Sequence, residues 1–397
     1  MSTRGVLLAI HRYGGLAIAA FLAIAALTGS IIAFEHELDS WLNPHLFKVL
    51  PTGNEPLSPY KLRDIVASRH PQARVNQINL NAQPDHSAIF YLQSWPGDDA
   101  VTHNKIFINP YTGLELGKRN TRDPAFTRDN LIPLIYKLHY SLLLPGKWGI
   151  WLLGMVAIFW TLDCFIGLYL TLPRKQFSWS SWKQAWLIKR STGSIRMNYD
   201  LHRASGLWLW MLLLVLAVSS VRLNLYEEVF APVVNIFSPI SVRLPAATDT
   251  ELTLSTEQIT FQDAVLIGKR YLEESHIKAQ VQSVYYAAEL HQFHVSFSAK
   301  GIWLDILGYS YVVIDARTGL ANSIQWETGN TAGDTFTAWM FPLHSGKAFG
   351  LAGRIMIAVS GIAVTMLIIT GILIWWKKRR VYQFAIKRQK NTGLHRS

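Results

Sequence analysis

At 397 residues, half of them apolar and only 16% charged, the chain is too hydrophobic for an ordinary soluble protein, in which about a quarter of residues carry charge. A net charge of +12 would suit nucleic-acid binding if it covered one surface, but 16 basic residues against one acid fall within residues 1–12, 173–200 and 377–397, leaving the rest slightly acidic. No basic patch remains for DNA or RNA, and a single cysteine, Cys164, excludes an internal disulfide or a cysteine-built metal cluster.

The first apolar run, Val6–Phe34, exceeds the roughly 20 residues a helix needs to cross a hydrocarbon core. Ala23-Ile24-Ala25 resembles a signal-peptide cleavage site, but the run continues past it and cleavage would discard His11, so the segment reads as a retained anchor. Three more runs follow: Trp148–Leu172, Leu207–Val221 with its flanks, and Leu351–Trp376. Only helices or closed barrels satisfy their backbone groups in lipid, and runs this long predict helices. The basic segments place both termini and the central loop in the cytoplasm.

These readings predict an α-helical integral membrane protein, a four-helix transmembrane bundle with two α+β modules outside the membrane and an internal two-fold repeat. Residues 1–38 are the first transmembrane helix and 39–128 the first outer module. Residues 129–173 are the second span with a preceding outer-face histidine segment, and 174–199 a cytoplasmic basic loop. Residues 200–228 are the third span, 229–330 the second module, 331–376 the fourth span with its own histidine segment, and 377–397 a basic tail.

Within the first module the spacing predicts a helix over Pro59–His70, then strands over Arg74–Leu80, Ala88–Ser94 and Asn104–Asn109. The second predicts a helix over Phe261–Ser275 and strands over Gln280–Tyr286, Gln292–Ser298 and Tyr309–Asp315. Each series closes on a matching turn, Asn109-Pro110-Tyr111-Thr112-Gly113 and Asp315-Ala316-Arg317-Thr318-Gly319, where glycine supplies the positive φ. Each module is expected to be α-β-β-β and to pack on its twin.

Four histidines stand at the mouths of the spans: His11, His139, His202 and His344. His11 and His202 lie 191 residues apart, each followed by an arginine, and Glu37 and Glu228 share that offset. His139 and His344 lie 205 apart, each upstream of a Gly-Lys pair, Gly146-Lys147 and Gly346-Lys347. If the spans alternate in direction, His11 and His202 share one face and His139 and His344 the other. A lone interfacial histidine is more often a snorkelling or capping residue. Four at symmetric positions point instead to axial ligands of two haems, one pair per face, and without Cys-x-x-Cys-His neither would be covalently attached. Haem propionates call for cations: Arg12 and Arg203 on the inner face, Lys147, Lys347 and Arg354 on the outer. Plain positive-inside anchoring accounts equally well for the inner pair. His36 competes for the outer haem, but its repeat partner is Glu227. Asp163 is the one acid well inside a span, there either to steer a proton or to bond a neighbouring helix.

With its paired spans, the strand-to-turn Asp/Asn-x-x-Thr-Gly devices and a Leu-His before each outgoing span, the chain resembles the PepSY-associated transmembrane family from His11 to about Trp376. Within that family it is most similar to inner-membrane ferric-siderophore reductases of the ferrioxamine-reductase type. The resemblance implies two bis-histidine b-type haems in the bacterial inner membrane, with the PepSY-like modules periplasmic. It also implies reduction of iron in a siderophore on the periplasmic side. A cytoplasmic or quinol donor would supply the electrons, and lipid is the only other partner expected. Two rivals predict different chemistry. A non-redox module would use its outer domains to bind a partner, and a siderophore or haem transporter would need a polar path through the span centres.

Overall fold

The computed structural model describes residues 2–81, 83–95, 98, 100–174, 177–189, 193–241, 259–299, 307 and 310–393. Tyr309 at the head of an expected strand, Lys175 and Arg190 of the basic loop, and residues 394–397 of the tail lie outside them. The chain divides into two compact units, one of Met1–Ala33, Leu138–Phe230 and Leu343–Ser397, the other of Phe34–Lys137 and Ala231–Pro342.

In chain order, α1 (Thr3–Ile32) leads to α2 (Glu35–Leu42), the single turn α3 (Pro44–Phe47) and α4 (Pro59–Arg69). Strands β1 (Ala73–Val75), β2 (Gln77–Asn79), β3 (Ala88–Ser94), β4 (Lys105–Ile108) and β5 (Glu115–Arg119) follow. Next come α5 (Leu131–Ser141), α6 (Trp148–Thr171), α7 (Trp179–Trp182), α8 (Ser194–Trp208), α9 (Trp210–Asn224), α10 (Ala231–Phe237) and α11 (Phe261–Glu274). The chain ends with β6 (Ala279–Ala287), β7 (Gln292–Ala299), β8 (Ser310–Asp315), β9 (Ala321–Gln325), α12 (Ala332–Ser345) and α13 (Gly350–Gly393).

In the helical unit, Thr3–Ile32, Trp148–Thr171 and Lys347–Phe384 are each long and apolar enough to cross a membrane. Helices α8 and α9 pass the same test only as a pair, bent by 66°. The third apolar run is thus not the single straight helix its composition predicts. The break follows Ser205-Gly206, where Ser205 Oγ donates to the Leu201 carbonyl at 2.6 Å. Such back-bonding beside a glycine is a recognised cause of kinks. Helix α1 packs along α13 and beside α6, α6 packs on α9, and α8 on α13. Gly361 allows the first contact, since a Cβ there would overlap the Ala26 carbonyl and Ser30 Oγ of α1.

The second unit holds two antiparallel sheets, ordered β1-β3-β4-β5 and β2-β6-β7-β8-β9. Helix α4 covers the first by burying Leu62 and Val66 against Phe90, Leu92, Ile106 and Ile108. Helix α11 covers the second with Phe261, Val265 and Leu272 against Val284, Val295 and Ile314. Its start is set by a Thr260/Asp263 capping box.

Two expectations need correction here. The turns after β4 and β8 do not close the modules but lead into β5 and β9, so each series runs one strand past its predicted end. Glu115, Lys118 and Arg119, or Asn322, Ser323 and Gln325, hide the two-residue alternation that would mark a strand. The turns themselves are as read: Asn109 Oδ1 accepts from Tyr111 N at 2.9 Å and Asp315 Oδ1 from Thr318 N at 2.8 Å. Gly113 and Gly319 adopt φ of 70° and 71°. The predicted strand Arg74–Leu80 is split at buried Asn76. Its first half joins the first sheet and its second half pairs with β6 in the other. Asn76 serves both sides of the crossing, donating to Gln93 Oε1 at 2.9 Å and accepting from Tyr286 N at 2.8 Å.

At the end of β5, Arg119 is 1% exposed and grips Asp39 of α2 through two bonds of 2.6 and 3.1 Å. Asn43 donates to the same carboxylate at 2.8 Å, and Phe47 and Phe107 flank the guanidinium. At the start of α12, Asp334 accepts from Ser241 N and Oγ, Asn330 N and Thr331 N at 2.6–3.1 Å. Burial alone would raise its pKa, but the bonds from Ser241, Asn330 and Thr331 prevail and hold it below the ordinary 3.8. The stabilisation is therefore present above that value and lost as pH falls through the depressed one. Melting temperature followed from neutral to strongly acid pH should fall through that window in the wild type, and less steeply in Asp334→Asn.

Candidate functional site

The helical unit brings the four histidines together in the two pairs read from the sequence. The ring centres of His11 and His202 are 6.3 Å apart, with planes at 60°, and those of His139 and His344 are 6.2 Å apart, also at 60°. Two metal–imidazole bonds of roughly 2.0–2.1 Å, the length seen in zinc sites, with about 1.1 Å from each nitrogen to its ring centre, span roughly 6.3 Å. The spacing therefore fits one metal atom between each pair.

The hydrogen bonds fix the tautomers. His139 Nδ1 lies 3.0 Å from the Ala25 carbonyl and 3.0 Å from Thr28 Oγ1. His202 Nδ1 lies 3.0 Å from the Leu367 carbonyl and 3.0 Å from Thr370 Oγ1. A carbonyl only accepts, so both Nδ1 atoms carry the proton. His344 Nδ1 is 2.9 Å from Ser219 Oγ, whose own hydrogen is directed to the carbonyls of Val215 and Leu216. Here too the imidazole donates. His11 Nδ1 donates to Asp163, 3.0 Å from both carboxylate oxygens. In the neutral ring this leaves Nε2 as the lone pair at all four positions, the form that ligates iron, with Nδ1 held by an outer-shell partner.

These partners are residues that sequence reasoning passed over, apart from Asp163. Thr28, Ser219 and Thr370 read as ordinary hydroxyls bonding back to their own helices. The repeat offset could have singled out two of them, since Thr28 and Ser219 are 191 residues apart, as His11 and His202 are. Small residues complete the seats: a Cβ on Gly29 would lie 3.1 Å from His139 Cε1, and one on Gly371 3.3 Å from His202 Cε1.

Around the first pair lies a cavity of about 690 Å³, within the roughly 300–1,000 Å³ of ligand pockets. Its wall is largely apolar, with Leu16, Leu207, Val364 and Trp210 among the residues, and Arg4, Arg12, Arg174, Arg203 and Lys378 also line it. Of the cations proposed from sequence, Arg12 and Arg203 line this cavity. Arg203 also donates to Asp200 Oδ1 and the Gln184 carbonyl, both at 2.9 Å. Lys147 directly precedes α6, Lys347 opens a short 3-10 turn before α13, and Arg354 Nε donates to the Ala33 carbonyl at 2.8 Å. His36 belongs to the other unit, its ring 6.4 Å from His86 and 6.0 Å from Phe47. Among the described residues, no three His, Cys, Asp or Glu side chains gather as a metal-ion site. Each histidine pair would offer two imidazole nitrogens to a metal whose other positions are filled by a ligand such as a porphyrin.

Long apolar helices in one unit and helix-covered antiparallel sheets in the other fit a membrane protein with α+β parts. The chain belongs to the PepSY-associated transmembrane family, whose model, the PepSY-associated TM region, matches residues 8–378. No curated protein matches the chain.

Proposed function

We propose that this protein is a dihaem reductase of the bacterial inner membrane that passes electrons outward to Fe(III) held by a periplasmic siderophore, releasing Fe(II). The observation that carries the proposal is the pairing of four imidazoles, two by two, each held through Nδ1 by a partner outside the pair, which in the neutral ring leaves Nε2 for a metal. In this reading the spans form a four-helix bundle of two repeated halves, with cytoplasmic termini and periplasmic modules.

His11 and His202 would hold one b-type haem and His139 and His344 the other. Bound there, haem supplies one-electron redox chemistry, which belongs to the cofactor. The protein's part is to hold the ligands. Asp163, Thr28, Ser219 and Thr370 fix ring tautomer and orientation, and the apolar wall around the first pair keeps water out. Arg12 and Arg203 would offset propionate charge at that pair, and Lys147, Lys347 and Arg354 at the other. The electron donor is a cytoplasmic reductant or a quinol. The siderophore follows from the resemblance of the chain and from the chemistry of release, since hard oxygen donors hold the more highly charged ferric ion better than the ferrous one.

A reduced-minus-oxidised visible spectrum of the full-length protein in detergent, with haem quantified against protein, tests this reading. We expect two b-type haems per chain, reoxidised when a ferric siderophore is added to the reduced protein. A colourless protein from iron- and haem-replete cells would remove the reductase.

A further inference from the structure

We infer that Asp163 is a positioning residue that makes the two histidine pairs unequal, so that the His11/His202 site favours ferric iron more than the His139/His344 site does. The inference rests on the proposed ligation of haem by these pairs.

Three of the four imidazoles are held through Nδ1 by neutral groups. His139 has a carbonyl and a threonine hydroxyl, His202 a carbonyl and a threonine hydroxyl, and His344 a serine hydroxyl. Only His11 donates to a carboxylate, with both oxygens at 3.0 Å. Orientation and tautomer therefore do not require a charge. Thr370 and the Leu367 carbonyl do the same for His202 within the same pair. A carboxylate at this place has its own cost, because the Asp163 side chain is 11% exposed and lies inside an apolar span. Among the described residues its hydrogen-bonding partner is the His11 ring. Arg4, which lines the same cavity, is directed to the carbonyls of Leu170 and Leu172 instead.

What the charge adds is donor strength. A carboxylate drawing on Nδ1–H pushes electron density onto Nε2 and makes the ring a more basic ligand. A more basic ligand favours the higher charge on iron, and hydrogen bonding beyond the axial ligand is one of the levers by which a protein sets a haem potential. The His11/His202 site should therefore hold an electron less tightly than the other. That order suits passage from the first pair to the second.

The test is a potentiometric titration of the full-length protein, followed by visible absorbance. In Asp163→Asn, the side-chain oxygen still accepts from Nδ1–H, so tautomer and geometry are kept while the charge is removed. We expect two haems to remain and one midpoint to rise by at least a tenfold change in the ferric/ferrous equilibrium, about 59 mV for one electron. The other midpoint should stay put, and Asp163→Glu should restore much of the difference. Two bound haems with neither midpoint moved, or both moved alike, would overturn the inference while leaving the reductase intact. Should Asp163→Asn lose a haem, the single-site proteins decide. His344→Ala retains the first site and His202→Ala the second, and a first-site midpoint equal to or above the second would sink the idea. A wild-type chain without haem would instead remove the reading beneath it.

Discussion

His344→Ala should take the protein from two haems per chain to one and abolish reduction of added ferric siderophore. In the proposed ligation His344 would supply one of the two imidazole nitrogens at its site, with its ring held by Ser219 and facing His139. Losing an outer-shell partner alone costs a metal site about 10–100-fold in affinity, so losing the ligand itself should exceed the upper end of that range. The site around His11 and His202 shares no ligand or Nδ1 partner with it and should stay filled. Imidazole added to the growth medium or the purified protein should refill the space left by the deleted ring and restore part of the second haem. That rescue separates loss of a ligand from general misfolding. Retention of both haems in the unrescued variant would mean that His139 and His344 do not form a ligand pair.

The largest effect on stability is expected at Asp39. Arg119 is almost fully enclosed, between Phe47 and Phe107, and its bidentate bond to Asp39 neutralises it. Asp39→Ala leaves a guanidinium buried without its counter-charge, which destabilises by about 3–5 kcal/mol. Removing both charges is a different matter, because an apolar pair of similar volume often replaces a buried ion pair at little loss. The combined change Asp39→Leu with Arg119→Met should therefore recover most of what Asp39→Ala loses. Thermal unfolding of the full-length protein in detergent, with hydrogen exchange read on β4 and β5, would show it. Equal destabilisation by the single and double variants would exclude the buried charge as the cause.

Much of this was legible in the chain because its markers recur at matching offsets. His11 and His202, His139 and His344, and the turns ending at Gly113 and Gly319 stand out by recurrence, and the apolar runs by length. Features set by one-off contacts were not legible. The bend after Trp208 follows Ser205-Gly206, where Ser205 turns its hydroxyl back on Leu201, and nothing in a hydropathy pattern marks that. The strand break at Asn76 depends on partners more than 200 residues away in the second module. Thr28, Ser219 and Thr370 are common residues in apolar helices, and their role is visible only once an imidazole is found against each.

That break at Asn76 also limits how the protein can be dissected. Because β2 comes from the first half of the chain yet forms the edge of a sheet otherwise built from the second, the halves are sewn together. A gene cut in the central loop would yield one fragment with a strand lacking its ladder. The other fragment would carry β6 as a bare edge, the kind of surface that recruits other chains. If the architecture arose by doubling a shorter ancestor, this donated strand is where the second copy came to depend on the first.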